Sequence, residues 1–297
     1  MNINYRVDSE LSEDQIEADV SSYLGYITPF WSKRFKLISV DEQATGADKL
    51  FNRFIPLYLQ FKVSEGLKPL NSGFNLKSPS RPLQKIRSFR RTNNINNDPI
   101  LYFRLRDKAK NAFDFQHNIL KSLNQPPRQF GFYVAPLTLK IEEYDKSLEA
   151  SMLEKIFGVH PFLYREEIIN TDSFRHRFGM IPFLRGHVSI PPHETVSTSE
   201  HYYSFSKAGT NIAWHSGEKL YGDFRLSSQI ESIFKLIYYS SDFSFNRETY
   251  INFIEDFFKK FNLQSTNLRS FDNPILEFAH NLKTEYNIKL LLISFNK

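Results

Sequence analysis

Residues 54–63 alternate between apolar and polar side chains, a pattern that predicts a β-strand. Successive side chains of a strand point to opposite faces of its sheet. Pro56 cannot donate to a ladder, so we expect pairing near the start of this strand to be limited to an edge or a bulge. The predicted core face consists of Leu57, Leu59, Phe61 and Val63, and the opposite face of Tyr58, Gln60 and Lys62.

The segment before this strand has the pattern of an amphipathic helix. Ser12 followed by Gln15 fits a capping box, in which the serine hydroxyl caps the helix. Apolar residues then recur with the helical period, and Gly25 is suited to the C-terminal end. The apolar stripe is Ile16, Val20, Tyr23 and Leu24.

The remaining pattern predicts a chain of mixed α/β class. In the first half, the sequence predicts further strands over residues 35–40, 100–105 and 130–137 and a helix over residues 113–123. In the second half, it predicts helices over residues 142–157, 228–239, 248–261 and 275–282, and strands over residues 186–190, 202–205 and 288–295.

A short motif precedes and includes the predicted strand at 54–63. Gly46 belongs to a turn, Asp48 begins a short predicted strand, and Gln60-x-Lys62 follows on the next strand. This order of residues resembles the PD-(D/E)xK nuclease superfamily, in the variant with glutamine at the middle position, and Glu42 adds to the resemblance. The resemblance covers roughly residues 10–137 and implies a restriction-endonuclease-like αβββαβ core. The predicted order of helix, three strands, helix and strand, with an extra strand at residues 100–105 beside the insertion, agrees with that core.

The resemblance implies a metal-dependent phosphodiester hydrolase. Asp48, Gln60 and Glu17 would hold Mg²⁺ or Mn²⁺, and Lys62 would orient the attacking water or stabilise charge on the phosphate. Gln60 offers a neutral carbonyl oxygen where an acid is usual, so Glu17 or Glu42 would have to restore the missing negative charge. The alternatives are a solvated helix-edge acid at Glu17 and a half-exposed strand lysine at Lys62.

Residues 64–99 are predicted to form a basic insertion loop, rich in proline and asparagine. Basic residues interleaved with aromatic ones could follow a phosphate backbone. A solvated surface insertion is the alternative. The candidate nucleic-acid-binding residues are Lys68, Lys77, Arg81, Lys85, Arg87, Arg90 and Arg91.

The composition of the chain excludes several kinds of site and of protein. The 297-residue chain is 41% hydrophobic, which is ample for a core, and its net charge of +5 is compatible with a polyanionic partner. Having no cysteine excludes disulfides and thiolate metal sites. No apolar run approaches the length of a membrane span, and we expect a soluble, cytoplasmic protein. The histidines show no H-E-x-x-H pair, and we interpret them as structural.

Three functional hypotheses remain. The first is a Mg²⁺-dependent DNA endonuclease formed by residues 1–137, for which the resemblance implies a role in bacterial defence or restriction. Residues 138–297 would then form a mixed α/β region that recognises DNA or a protein partner of a defence complex, or that completes one domain with the first half. The second is a non-catalytic nucleic-acid- or protein-binding module on the same fold, and an RNase of this fold is a weaker third.

Overall fold

The computed structural model describes residues 6–27, 35–40, 53–68, 81–95, 99–110, 112–156, 182–215, 217–239, 242–261 and 274–295. Within these ranges the chain has a mixed α/β fold with two sheets, which confirms the predicted class. The strands are β1 (Arg6–Val7), β2 (Phe35–Ser39), β3 (Phe54–Phe61), β4 (Glu65–Leu67), β5 (Ile100–Arg104), β6 (Phe130–Pro136), β7 (His187–Ile190), β8 (Tyr202–Ser206), β9 (Ala213–Trp214), β10 (Glu218–Lys219) and β11 (Lys289–Phe295). The helices are α1 (Glu13–Ile27), α2 (Arg81–Thr92), α3 (Gln116–Leu123), α4 (Ile141–Ile156), α5 (Pro182–Arg185), α6 (Leu226–Tyr239), α7 (Arg247–Lys260) and α8 (Pro274–Tyr286).

The mixed sheet has the strand order β2-β11-β3-β6-β7. β3 and β6 are parallel, and β11 runs antiparallel to both β2 and β3. The last described strand of the chain therefore lies between two strands from its first quarter. The predicted short strand at Asp48 lies outside the described residues.

The second sheet is antiparallel, with the order β1-β4-β5-β8-β9-β10. Its inner face packs against the mixed sheet: the ring centroids of Phe103 on β5 and Tyr133 on β6 lie 5.4 Å apart. We call the apolar cluster between the sheets the inner core, and α3, α7 and α8 also contribute to it. The outer core lies on the opposite face of the mixed sheet, where α1, α5 and α6 pack.

β3 separates these two cores as its alternation predicts. Leu57, Leu59 and Phe61 belong to the outer core, whereas Tyr58 belongs to the inner core. The expectation of a single core face was wrong, because every residue of β3 is buried. The second sheet and helices α3, α7 and α8 cover the side that carries the polar residues.

β3 is an interior strand, yet at Pro56 it has a ladder partner on one side only, Leu292 of β11, as expected for a proline. The register explains how the strand accommodates it. Lys62 donates its backbone N–H to Val134 of β6, so the N–H positions of even-numbered residues point to the β6 side. Pairing with β6 begins only at Leu57, and the missing N–H of Pro56 therefore removes no bond of that ladder.

The segment 64–99 is more regular than the predicted insertion loop. Where it is described, it contains β4 and the twelve-residue helix α2. Ile86 of α2 packs with Leu67, Tyr102 and Tyr202 on the outer face of the antiparallel sheet. The helix was missed because its apolar stripe is narrow and most of its residues are basic or polar.

The N-terminus of α1 follows the sequence closely. The Ser12 hydroxyl accepts the backbone N–H of Gln15 at 3.1 Å, which confirms the predicted cap. No helix within the described ranges is both long and apolar enough to cross a membrane.

Candidate active site

The polar residues of the motif lie at the carboxyl end of β3. Gln60 is fully buried and Lys62, one residue beyond the strand, is 5% exposed. Sheet pairing with β6 extends as far as these residues, because Gln60 is opposite Tyr133 and the Lys62 N–H donates to Val134. In open α/β sheets, ligands bind beyond the carboxyl ends of the strands, so this is a suitable location for a site.

The side-chain amide of Gln60 makes one hydrogen bond within the described residues, through its nitrogen. Its Nε2 donates to the carbonyl oxygen of Phe61 at 3.2 Å. Its Oε1 is buried and accepts no hydrogen bond within the described part of the chain. A buried acceptor of this kind costs free energy unless a water or an ion occupies it.

Lys62 holds its ammonium group in the interior beside one carboxylate. Nζ lies 3.3 Å from Oε1 of Glu13, at the start of α1. Burial lowers the pKa of Lys62, because the charged form loses its hydration, and the charge and hydrogen bond of Glu13 partly offset that effect. The alternative of a half-exposed strand lysine was therefore wrong.

A second acid lies one helical turn along α1 from Glu13. The Glu17 carboxylate accepts a hydrogen bond from Lys283 Nζ at 2.5 Å. The same Nζ donates to the side chain of Asn287 at 2.7 Å, and Asn287 Nδ2 donates to Glu13 Oε2 at 3.3 Å. We call Glu13, Glu17, Lys62, Lys283 and Asn287 the charged network.

The charged network differs from the predicted use of α1. We preferred Glu17 as the metal ligand, whereas it is Glu13 that reaches Lys62, and the side chain of Glu17 is only 13% exposed. The spacing of Glu13 and Glu17 places both on one face of the helix, which the sequence could have indicated. Lys283 and Asn287 are distant in sequence and gave no local signal.

The described residues do not include all of the predicted site residues. Asp48, Glu42 and Lys77 are outside the described residues, and so is the side chain of Arg81. Of the predicted catalytic set, Gln60, Lys62 and Glu17 are thus the members whose surroundings are known.

The predicted nucleic-acid-binding residues of α2 divide between its two faces. Lys85 and Arg91 are exposed, as is Lys68 just after β4. Arg87 is half-buried and donates from Nη2 to the carbonyl oxygen of Lys68 at 2.7 Å.

Arg90 was wrongly assigned to this surface. It is 1% exposed, and its Nη1 donates to Ser204 Oγ and to the carbonyl oxygen of Asn211, each at 2.9 Å. Burial lowers the pKa of Arg90 to about 10. Its position on the inner side of the narrow helical stripe directs it into the protein, where it cannot contact a phosphate backbone.

Comparison with known proteins adds no further assignment: no protein-family model, no curated protein and no solved structure matches this chain.

Proposed function

We propose that this chain is a cytoplasmic, metal-dependent endonuclease that hydrolyses DNA, acting in bacterial defence or restriction. One observation carries the proposal. At the carboxyl end of β3, a buried amide oxygen of Gln60 that has no partner among the described residues and a buried ammonium group of Lys62 lie two residues apart in sequence. The order of Asp48, Gln60 and Lys62 in the sequence points to the same chemistry.

The donor atoms suit a hard divalent cation. Mg²⁺ and Mn²⁺ prefer oxygen ligands, and the buried Oε1 of Gln60 is an oxygen whose bonding capacity is unused within the described residues. Asp48 would supply the carboxylate. When bound, such an ion polarises the phosphate and makes hydroxide available near neutral pH.

Lys62 would act on the substrate side of the site. An ammonium group carries three N–H donors, and one of them contacts Glu13. The group can therefore also donate to an attacking water or to a phosphate oxygen on which charge develops. Glu13 and Asn287 would hold the side chain in position, since they join it to α1 and to the end of α8.

Cleavage of plasmid and linear DNA with Mg²⁺ or Mn²⁺ tests the proposal. We expect Lys62→Met to lower the rate by at least about 100-fold, since removing one preorganised donor typically has an effect of that size. Asp48→Asn should abolish cleavage. The matched control is Lys289→Met, because Lys289 is also a buried lysine, lies opposite Leu59 and so belongs to the other face of the sheet.

Full activity in a folded Lys62→Met protein would refute this site. A parallel set of RNA substrates distinguishes a DNase from an RNase of the same fold. Unfolding curves of each variant separate loss of chemistry from loss of structure.

One observation favours a non-catalytic binding module instead. Both carboxylates of the charged network, Glu13 and Glu17, are engaged by lysines, and the motif has glutamine where a second acid is usual. A module of this kind would bind DNA or a protein of a defence complex without turnover. Calorimetry decides between the two: stoichiometric Mg²⁺ or Mn²⁺ binding that disappears in Asp48→Asn contradicts the binding module.

A further inference from the structure

A second cluster of metal-ligating side chains lies on the antiparallel sheet, away from the charged network. His193 and Glu194 belong to the connection between β7 and β8, and Glu218 begins β10. One ligand atom from each of the three lies within 4.8 Å of the other two. The closest pair is His193 Nε2 and Glu218 Oε2, at 2.7 Å. We propose that these residues form a site for a divalent transition-metal ion, with Zn²⁺ as the best fit.

Aromatic side chains fix the connection that carries two of the ligands. The backbone N–H of His193 donates to the Tyr203 hydroxyl at 2.9 Å. The carbonyl oxygen of Glu194 accepts the Nε2–H of His117 at 2.6 Å. The backbone at both ligands is thus anchored to buried residues of the inner core, and little ordering remains to be done when an ion binds.

The carboxylate of Glu194 is itself oriented by a partner. Trp214 Nε1 donates to its Oε2 at 3.3 Å, and the fully buried Trp214 ring stacks with the imidazoles of His117 and His201. Hydrogen bonds from outer residues to metal-ligating groups are a regular part of built metal sites. Because Trp214 is fluorescent, its emission should respond to changes at Glu194.

The ligand types select the ion. One imidazole nitrogen and two carboxylates suit Zn²⁺, which binds nitrogen and oxygen ligands in a four-coordinate arrangement. Three protein ligands leave the fourth position to water. Mg²⁺ prefers oxygen ligands alone, so it is disfavoured here. The site is accessible, because the side chains of His193 and Glu218 are 27% and 55% exposed.

A bound ion would link the β7–β8 connection to β10 through its protein ligands. β10 is a two-residue strand at the edge of its sheet, and its ladder partner among the described strands is β9 alone. Short edge strands have few ladder bonds, so a ligand bond at Glu218 would hold this edge. This role is independent of the proposed nuclease activity.

Zinc titration of chelator-treated full-length protein tests the site, followed by calorimetry and by Trp214 fluorescence. A Trp31→Phe background leaves Trp214 as the sole tryptophan. We expect one Zn²⁺ per chain, a change in Trp214 emission at the same equivalence point, and a thermal midpoint that rises with zinc concentration. MgCl₂ should leave the Trp214 emission unchanged, because Mg²⁺ prefers oxygen ligands alone.

His193→Ala and Glu218→Gln each remove one ligand, and each should lower zinc affinity by more than the roughly 10–100-fold typical of an outer-shell change. His280→Ala and Glu200→Gln are matched controls at exposed positions and should leave the titration unchanged. Unchanged zinc affinity in either ligand variant, or no stoichiometric binding by the parent protein, would overturn the proposal. The zinc titration does not measure DNA cleavage. If the nuclease proposal fails, the zinc site can therefore still be tested.

Discussion

At the residue scale, His187 shows how the core sets the protonation of a side chain. It is 1% exposed, and its Nδ1–H donates to the carbonyl oxygen of Phe183 at 2.8 Å. The rings of Tyr144 and Phe183 pack edge-on against it. Nε2 is buried and without a partner within the described residues, so protonation would place a second N–H where nothing accepts it. Burial therefore lowers the pKa of His187 to about 4.

This shift predicts that stability falls as the solution is acidified. The unfolded chain binds a proton near the ordinary histidine pKa of about 6.5, whereas the folded chain does so only near 4. The contribution of neutral His187 to the free energy of unfolding is complete above pH 6.5 and is lost as the pH falls towards 4. At pH 5 the loss is about 2 kcal/mol. Urea unfolding at pH 7.5 and pH 5 measures it.

His187→Asn provides the control for that measurement, since asparagine keeps a donor near the position of Nδ1 and does not titrate. The variant should lose less stability between the two pH values than the parent protein. An equal loss in both would show that the other buried histidines account for the effect. Burial also lowers the pKa of His117 to about 4 and that of His215 to about 3. Both histidines are present in the parent protein and in the variant, so their effect is the same in both.

What the sequence could predict at this scale depended on local geometry. Strand alternation correctly placed Leu59 and Gln60 on opposite faces, because that rule needs only neighbouring residues. It could not show that both faces are buried, since the second sheet and α8 come from distant parts of the chain. Arg90 was misplaced for a related reason: a basic residue is usually exposed, and its buried acceptors Ser204 and Asn211 are more than 100 positions away.

At the scale of elements, α2 has an exposed basic face and a buried face. Lys85 and Arg91 are exposed and flank the buried stripe, whereas Ile86 and Arg90 pack on the antiparallel sheet. Only the exposed face can contribute to the proposed contact with DNA. The two faces of the helix therefore serve different purposes, which a prediction of a uniform basic loop does not distinguish.

Substitutions on the exposed face should weaken nucleic-acid binding without affecting stability. Each of Lys85→Ala and Arg91→Ala should lower DNA affinity and reduce the slope of log affinity against log salt by roughly 0.9 for each lost phosphate contact with duplex DNA. Fluorescence anisotropy at several salt concentrations measures both quantities. Lys146→Ala is the control, because Lys146 is an exposed lysine of α4 that is paired with Glu142. An equal effect in Lys146→Ala would indicate a nonspecific loss of charge.

Elements with strong periodicity were predicted well, and short or unusually polar ones were not. α1, α7 and α8 bury regular apolar stripes, so their patterns could be recognised in the sequence. The strands β9 and β10 have only two residues each, too few to show alternation. In α2, apolar contacts on one narrow stripe outweigh its polar composition, and that contribution exists only once the antiparallel sheet has formed.

At the scale of the whole molecule, β11 joins the two halves of the chain. It pairs with β2 on one side and β3 on the other, while β2 and β3 make no ladder with each other among the described strands. Its four successive residues 290–293 are fully buried, two facing each core. The apolar run predicted burial of this strand, but no local pattern could show which strands it would join.

The fragment 1–137 should therefore fail to fold by itself, although its predicted elements follow the order of a complete core. Without β11, the strands β2 and β3 lose their shared partner, and the inner core loses α7 and α8. We expect no cooperative unfolding transition for this fragment in urea, in contrast to the full chain.

Circular dichroism and urea titration of the fragment test this expectation. Addition of the fragment 138–297 is the control, and it should restore a cooperative transition if the missing strand is the cause. A cooperative transition in the fragment 1–137 by itself would show that this half is an independent domain.

The position of β11 also has a consequence for how the protein is made. A ribosome releases the chain from its N-terminus, so β2 and β3 emerge long before the strand that separates them. During that interval their backbone groups are open to pairing with other chains, which is the usual origin of aggregation during synthesis. β11 completes the sheet with its Lys289 opposite Leu59, and Asn287, just before this strand, contacts Glu13. A chain cut before α8 would therefore lack Lys283 and Asn287 of the charged network, and we expect it to lack the proposed nuclease activity.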